Sequence, residues 1–319
     1  MTTLTNVHNL RTLFLGGAGF IGSAIIREML DQADGQSKGR DIIVLEPPHA
    51  DISRLRNCGV TMVRGTVQDT ELIDRLVTEH QITRIVHLVS TMTPASSFVD
   101  YLQELYTVVR PTIRIMELCA RRGVQLIYFS SCAIYGNSTD GNPFRENAPL
   151  NPISYYGMSK LIVESNIRFE HRVNGLDYLI LRPSNPYGHG QNMKAQQGLI
   201  AVAIGKILAG QPITIWGDGY AVRDYICIDD LAKAVCAIMQ TVKNEAMNIG
   251  SGDGKTVRDI IGYIDDVVLD SIKVQYGASR KSDVSRVVLD TTRMRQFYRQ
   301  PLTPIRQGIA TFYTESSRR

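Results

Sequence analysis

Tyr156 and Lys160 are the residues whose types and spacing most directly suggest chemistry. They stand four positions apart in a stretch of helical character, so both side chains fall on one helix face. A nearby ammonium group stabilises a phenolate, and Lys160 is therefore expected to lower the pKa of Tyr156 below its usual value of about 10. Tyr156 is a candidate proton acceptor, although a Tyr/Lys pair is common on helices and means little by itself.

Two serines strengthen this interpretation. Ser130 and Ser131 follow the apolar run 126–129, which predicts a buried strand. Ligands of parallel sheets bind at the carboxyl ends of the strands. A serine hydroxyl at that position can hydrogen-bond the same substrate oxygen that Tyr156 deprotonates. Ser131, Tyr156 and Lys160 therefore form the predicted catalytic set.

A glycine-rich segment follows the first predicted strand, Thr12–Leu15, and precedes a helical stretch. Gly16 would allow a tight turn, Gly19 would let backbone amides approach a pyrophosphate, and Gly22 would allow close packing of helix on strand. The helix N-terminus would face the negative charge of the phosphates. Between a strand and a helix, this spacing favours a dinucleotide site over a merely flexible loop.

Glu46 ends the second predicted strand, 41–45, where a carboxylate can bond the ribose of a dinucleotide. Its negative charge would repel the extra phosphate of NADP, so the sequence favours NAD. The alternative is that Glu46 is only a solvated residue at the end of a strand.

Nearly continuous apolar runs alternate with helical stretches up to about residue 182, which predicts an α/β fold with a Rossmann-type doubly wound parallel sheet. The predicted strands are Thr12–Leu15, 41–45, Thr61–Arg64, 84–88, 126–130 and 178–181, and helical stretches include 23–32 and 102–122. Gly123 is a candidate helix C-terminus. We expect an NAD-binding domain of residues 1–183 plus roughly 220–246, and a smaller C-terminal α/β substrate lobe of residues 184–219 and 247–319.

The C-terminal third has a different rhythm. Residues 183–188 are rich in turn-forming types, 198–208 is of helical character and Ile213–Trp216 is a predicted strand. Another helix is predicted over 229–241, with Asp229 or Asp230 near its N-cap.

Composition excludes several classes of protein. The chain has 319 residues and a net charge of only +4, with no basic run, so nucleic-acid binding is not expected. No apolar stretch approaches the roughly 20 residues of a membrane span, and no signal pattern opens the chain. Its five cysteines are odd in number and lack CxxC spacing, and no metal-ligand spacing occurs. We expect a cytoplasmic protein without a metal site.

Taken together, these motifs resemble the extended short-chain dehydrogenase/reductases, and among them the NAD-dependent nucleotide-sugar epimerases and dehydratases. The resemblance covers nearly the whole chain. It is carried by residues 16–22, 85–88, 129–136, 156–160, 181–188 and 216–225.

The resemblance implies roles for particular residues. Ser131, Tyr156 and Lys160 would be catalytic, and Lys160 would also hydrogen-bond the nicotinamide ribose. The implied cofactor-binding residues are Gly16, Gly19, Phe20, Ile21, Gly22, Glu46, Thr66, Val67, Leu88, Val89, Ser130, Tyr156, Lys160 and Pro183. The implied nucleotide-sugar contacts are Ser131, Asn185, Gly198, Leu199, Trp216, Arg223, Arg280 and Asp283. Taken singly, the arginines could be solvated surface residues, and Trp216 could equally be a core residue.

The chain departs from the family pattern at several positions. Thr66 stands where relatives have an aspartate near the adenine, and Val108 stands where they have an asparagine of the catalytic tetrad. Val89 and Ser90 replace the more usual alanines beside the cofactor. Cys132 and Ala133 occupy the positions where the 4,6-dehydratases carry Asp-Glu. Since neither residue can supply the acid and base of an elimination, an epimerase is favoured over a dehydratase.

Three functions remain open at this point. The leading hypothesis is an epimerase of a UDP-hexose or UDP-N-acetylhexosamine, which would oxidise and re-reduce C4 with bound NAD. The second is a nucleotide 4-keto-sugar reductase that consumes a nicotinamide cofactor, and the third a non-catalytic dinucleotide-sensing protein. The resemblance also implies a homodimer, paired through the long helices predicted over 102–122 and 155–173.

Overall fold

The computed structural model describes residues 11–33, 41–195, 197–268, 272–278 and 284–318. Within these ranges, seven parallel strands form one sheet in the order β3-β2-β1-β4-β5-β6-β10. Their bounds are β1 Thr12–Leu15, β2 Ile42–Glu46, β3 Thr61–Arg64, β4 Arg84–His87, β5 Gln125–Phe129, β6 Tyr178–Pro183 and β10 Glu245–Ile249. Chain order reverses between β1 and β4, the point where doubly wound sheets bind ligands. The predicted fold is confirmed.

Helices cover both faces of this sheet, because alternate strand residues point to opposite sides. Phe14 of β1 packs in one core with residues of α1 and α7, whereas Leu13 and Leu15 pack in a second core with α4 and α5. The helices are α1 Phe20–Gln32, α2 Thr70–Glu79, α3 Phe98–Glu104, α4 Arg110–Arg122, α5 Tyr155–Asn174, α6 Leu199–Leu208, α7 Ile228–Met239, α8 Val257–Asp265, α9 Met294–Phe297 and α10 Ile305–Ser317.

The predicted helix 102–122 is part of a helical segment that begins earlier, at Phe98, and contains one π-turn. Helix α3 passes into a π-turn, Leu105–Val109, which passes directly into α4. Pro111 lacks an N–H and cannot donate to the carbonyl of Thr107, so the regular helix cannot continue unchanged through this position. Gly123 ends α4 with φ 66°, as its type predicted.

Smaller sheets complete the fold. Strand β9 (Val222–Cys227) pairs with β7 (Asn185–Tyr187), β11 (Gly254–Thr256) and β13 (Arg286–Val287). Strand β8 (Ile213–Trp216) pairs with β12 (Val274–Gly277). A third apolar cluster, which includes Ile204, Ile215, Ile260 and Phe312, joins α6, β8, α8 and α10. The division into two domains stays a prediction.

One local prediction was wrong. Residues 183–188 are not only a turn: Asn185–Tyr187 forms a strand because it pairs in parallel with β9. Helix α7 begins at Ile228 with Cys227 at the N-cap position, and both aspartates lie in its first turn, near the N-cap as predicted. Asp230 is buried there and accepts a hydrogen bond from the backbone N–H of Thr303 at 2.7 Å, so it ties the C-terminal segment to α7.

Candidate active site

The glycine loop between β1 and α1 is built to hold an anion. Gly16 has φ 82°, a backbone conformation that favours glycine. A Cβ at Gly22 would come within 2.6 Å of the carbonyl oxygen of Gly17, so helix and loop touch here. At Gly19 a Cβ would meet only the oxygen of Gly16, at 3.5 Å, and Gly19 caps α1 without a side-chain hydrogen bond. The first N–H groups of α1, which begins with Phe20 and Ile21, are thus unblocked by a capping side chain.

Glu46 ends β2 and is buried against this loop. Its Oε1 accepts a hydrogen bond from the backbone N–H of Ala18 at 2.5 Å. Burial raises the pKa of the Glu46 carboxyl, while the Ala18 hydrogen bond and the nearby Arg64 oppose that rise. The carboxylate therefore holds the glycine loop in place. The ribose contact predicted for Glu46 stays a prediction.

Ser131 and Tyr156 meet at the carboxyl edge of the sheet. Ser131 follows β5, its Oγ accepts a hydrogen bond from the N–H of Ala133 at 3.1 Å, and its hydroxyl is hydrogen-bonded to that of Tyr156. Tyr156 lies in the first turn of α5, which begins where the hydroxyl of Ser154 accepts a bond from the N–H of Gly157 at 3.1 Å. The strand end and the helix cap together bring these two hydroxyls together.

Lys160 lies one turn further along α5 and is almost fully buried. Its Nζ donates a hydrogen bond to the carbonyl of Phe129 at 3.0 Å and lies 5.7 Å from the centre of the Tyr156 ring. Burial lowers the pKa of Lys160 to about 8, against the attraction of Glu104 and Glu164. The three predicted catalytic residues are thus in one place.

The expected effect of Lys160 on Tyr156 was wrong for the protein alone. Burial raises the pKa of Tyr156 to about 12; the bond from Ser131 lowers it, and Cys132 and Glu104 raise it further. The physical reason is that the Lys160 ammonium is directed to a backbone carbonyl rather than to the phenol oxygen. Ionisation of Tyr156 near neutral pH therefore needs further positive charge or a hydrogen-bonding substrate.

Other predicted cofactor residues surround the same edge. Val89 packs against the glycine loop, with its Cγ2 3.0 Å from where a Cβ on Gly16 would be. The Ser130 hydroxyl is buried and lacks a hydrogen-bond partner among the described residues. Among the remaining predicted cofactor residues, Leu88 directly follows β4, Val67 lies three residues after β3, and Pro183 is the last residue of β6. A glycine cradle and an orphaned buried hydroxyl fit a dinucleotide.

Thr66, however, is already engaged in a turn. Its hydroxyl donates to Asp69 at 3.2 Å and accepts a bond from the N–H of Gln68 at 3.3 Å. The backbone N–H of Thr66 also donates to Asp69, at 2.7 Å. The hydroxyl therefore stabilises the turn that precedes α2, and its predicted contact with the adenine stays a prediction.

A cavity of about 560 Å³ lies next to this edge, in the C-terminal part of the fold. It gathers all five described residues of the predicted nucleotide-sugar set outside the catalytic group: Asn185, Gly198, Leu199, Trp216 and Arg223. Arg280 and Asp283 lie outside the described residues. Asn185 Nδ2 donates to the carbonyl of Asp224 at 2.8 Å, which anchors its amide at the cavity wall. Trp216 is 49% exposed, so it is not a core residue.

The sequence analysis missed several residues of this region. Tyr220 lines the cavity, and the Arg258 guanidinium lies 4.4 Å from its ring centre and 5.8 Å from that of Tyr276. Glu104 is buried beside the catalytic helix. The sequence carried no signal for these positions, since isolated aromatic and acidic residues are ordinary surface residues. Across the described ranges, no group of three or more His, Cys, Asp or Glu could hold a metal ion.

These features fit an enzyme that binds a dinucleotide beside a tyrosine hydroxyl. Comparison with known proteins agrees. The profile of the NAD dependent epimerase/dehydratase family matches residues 12–250. The chain therefore belongs to this family, and it is an NAD-dependent enzyme.

Individual relatives cover almost the entire chain. A UDP-glucose 4-epimerase of Azospirillum brasilense is 29% identical over 90% of this chain and 85% of its own length. A dTDP-4-dehydro-6-deoxyglucose reductase of Escherichia coli is 30% identical over 93% of this chain and 94% of its own. The crystal structure of the Thermotoga maritima UDP-glucose 4-epimerase with UDP-glucose superposes with a TM-score of 0.87 at 28% identity, covering 96% and 98% of the two chains. No helix in the described part of the chain is both long and apolar enough to cross a membrane.

Proposed function

We propose that this protein is a nucleotide-sugar 4-epimerase that acts on a UDP-linked hexose or N-acetylhexosamine. The observation that carries the proposal is the convergence of Ser131, Tyr156 and Lys160 beside a glycine loop. The adjoining 560 Å³ cavity, lined by Arg223 and Trp216, is of a size that suits a nucleotide. The similarity to UDP-glucose 4-epimerases supports the uridine nucleotide.

The chain's own residues would remove one proton from the sugar 4-hydroxyl and later return it. Tyr156 Oη takes the proton of the sugar 4-hydroxyl, Ser131 donates a hydrogen bond to the developing carbonyl oxygen, and Tyr156 later returns the proton to that oxygen. The glycine loop and Glu46 would hold NAD, which would supply the hydride acceptor and donor for C4. Lys160 contributes positive charge behind the phenol. The sugar must turn over between the two halves, pivoting on its flexible diphosphate.

Cys132 and Ala133 argue against elimination of water. A dehydration at C5 and C6 needs a base for the C5 proton and an acid for the leaving hydroxyl. Burial raises the pKa of the Cys132 thiol to about 12, so it stays a neutral thiol at physiological pH. Ala133 has no acid–base group. An epimerase needs only the single acid–base residue that Tyr156 provides.

The remaining site residues receive roles within the same proposal. Arg223 would bind the diphosphate, because a guanidinium can engage phosphate oxygens in pairs. Trp216 would stack beside the base, and Gly198 and Leu199 would offer backbone groups at the N-terminus of α6, where Gly198 has φ 94° and no side-chain cap. The glycine loop and Glu46 would hold the dinucleotide.

We further propose that two copies pair through α3, α4 and α5. Their outward faces carry exposed apolar residues, and Phe98, which is 53% exposed, contacts the rings of Tyr101 and Tyr155. Exposed apolar patches of this kind mark interaction sites. The exposed apolar residues of these helices and of the π-turn between α3 and α4 are Phe98, Val99, Leu102, Tyr106, Ile113, Tyr155, Met158, Phe169 and Val173.

The test is to incubate the purified protein with a panel of UDP-hexoses and UDP-N-acetylhexosamines, without added cofactor, and to follow the sugar anomeric signals by NMR. We expect interconversion of one 4-epimeric pair to the same equilibrium from either side. Absence of any interconversion, with NAD verified in the protein, would overturn the proposal.

A 4-keto-sugar reductase is the second candidate, favoured by the similarity to the Escherichia coli reductase. It would consume one NADH or NADPH for each 4-keto sugar, so the absorbance at 340 nm would fall in proportion to substrate. Epimerisation leaves that absorbance unchanged over many turnovers.

A further inference from the structure

Glu104 is a buried carboxylate that the mechanism above does not use. It is 2% exposed and has no ion-pair partner within 4 Å in the described ranges. A buried charge is costly unless hydrogen bonds compensate it. Ser90 Oγ donates to its Oε1 at 2.8 Å, and Oε2 accepts bonds from Thr91 N at 3.0 Å and Thr91 Oγ1 at 2.5 Å. Glu104 thus holds the loop that follows β4.

The π-turn sets where Glu104 lies. Glu104 is the last residue of α3, and in the turn after it the N–H of Arg110 reaches back to the carbonyl of Leu105. The extra residue of a π-turn shifts the helix face, and such turns occur often at functional sites. Both α3 and the π-turn pack against α5, the helix that carries Tyr156 and Lys160. Val108, one turn later, offers no polar side chain.

Lys160 needs a counter-charge, and Glu104 is the carboxylate able to give one. The titratable groups that influence Lys160 or are influenced by it are Glu104 on α3, Glu164 and Tyr156 on α5, Tyr128 on β5 and His87 on β4. Glu164 is already bound on both oxygens by Arg182, at 3.0 and 2.6 Å. His87 is neutral, because burial lowers its pKa to about 3. Glu104 raises the pKa of Lys160.

We propose that Glu104 is a positioning residue of this active site: from the end of α3, which packs against α5, its buried carboxylate fixes the Ser90–Thr91 loop and provides the counter-charge of the buried Lys160. The proposal rests on the proposed function for its catalytic consequence. Its electrostatic part concerns the protein itself and is measured separately.

The charge can be removed without changing the shape of the side chain. Glu104→Gln keeps one acceptor for Ser90 or Thr91 and loses the charge, whereas Glu104→Asp keeps the charge on a shorter stem. Glu79→Gln, at the exposed C-terminal end of α2, is the matched control for loss of one negative charge. Titration of protein carrying ¹³Cε-lysine by NMR reports the ionisation of Lys160, whose signal is identified by its absence in Lys160→Met.

We expect Glu104→Gln to lower the midpoint of the Lys160 titration by about half a pH unit or more. The alkaline limb of kcat should move to lower pH by the same amount, with KM for the nucleotide sugar changed less than twofold. Glu104→Asp and Glu79→Gln should keep the wild-type midpoint. An unchanged Lys160 midpoint in Glu104→Gln overturns the proposal, even where the variant melts at lower temperature, since that result describes a purely structural residue. Absence of epimerase activity in the wild type would instead overturn the proposed function and leave the Lys160 titration interpretable.

Discussion

At Tyr156, burial raises the pKa of the phenol and the hydrogen bond with Ser131 lowers it, and burial is the larger effect. The Lys160 ammonium donates its hydrogen bond to the Phe129 carbonyl. The protein alone therefore holds a protonated tyrosine bonded to Ser131. We therefore expect Tyr156 to act as a base only when cofactor and substrate are bound.

The Tyr156 hydroxyl should be indispensable to turnover. We expect Tyr156→Phe to lower kcat by about 10²–10⁴-fold, because the proton acceptor is lost while the ring still packs. NAD content should stay at the wild-type level. The adjacent Tyr155→Phe, whose ring is exposed and stacks on Tyr101, is the matched control and should keep activity. Kinetic assay of the two variants decides; an active Tyr156→Phe protein would contradict the assigned role.

Lys160 should reduce the stability of the fold at neutral pH. Its folded pKa of about 8 lies below the ordinary value of 10.5, so between these values the unfolded chain binds more protons than the folded one. Raising the pH from 8 to 10.5 therefore stabilises the wild type relative to Lys160→Met. At pH 7 the variant should be more stable by on the order of 1–3 kcal/mol.

Urea unfolding of both proteins across this pH range, at matched cofactor content, measures the difference between them. We expect the difference to shrink steadily as the pH rises above 8. A constant difference would mean that Lys160 does not titrate in this range.

At the scale of the elements, two glycines at the start of α1 have different structural roles. Gly22 lets the helix touch the loop, whereas Gly19 leaves open space at the helix N-terminus. The same substitution should therefore have different effects at the two positions.

We expect Gly22→Ala to destabilise the protein by about 1–3 kcal/mol, because the new Cβ would meet the backbone of Gly17 at 2.6–2.9 Å. Gly19→Ala should leave the unfolding free energy nearly unchanged and weaken NAD binding by tenfold or more, since its Cβ would occupy the space of the pyrophosphate. Thermal unfolding and calorimetric titration with NAD distinguish these outcomes. Equal stability loss in both variants would contradict this distinction.

At the scale of the whole molecule, the exposed apolar faces of α3, α4 and α5 predict assembly. Placing charge there should break a dimer without unfolding the subunit, because these side chains are already exposed. We expect Phe98→Asp combined with Phe169→Asp to change the mass in solution from dimer to monomer. Leu208→Asp, an exposed apolar position at the end of α6, is the control and should not change the mass. Analytical ultracentrifugation measures all three proteins, and a monomeric wild type would refute the pairing.

The sequence determined the local features of this protein. Nearly continuous apolar runs identified six strands of the main sheet to within two residues, because the inner strands are covered on both faces and need apolar residues at most positions; the edge strand β3 is less buried. The glycine spacing and the Tyr156–Lys160 pair identified the site, since their chemistry depends on short chain separations. The helix end at Gly123 followed from backbone conformation alone.

Tertiary structure decided what depends on burial and on distant partners. The pairing of Asn185–Tyr187 with β9 turned an expected turn into a strand. The direction of the Lys160 ammonium and the burial of Tyr156 reversed the expected pKa shift. Glu104 became a buried charge through contacts with Ser90 and Thr91, more than ten residues away along the chain. Solvent exposure and electrostatic distance are properties of the folded chain, and neither can be read from residue order.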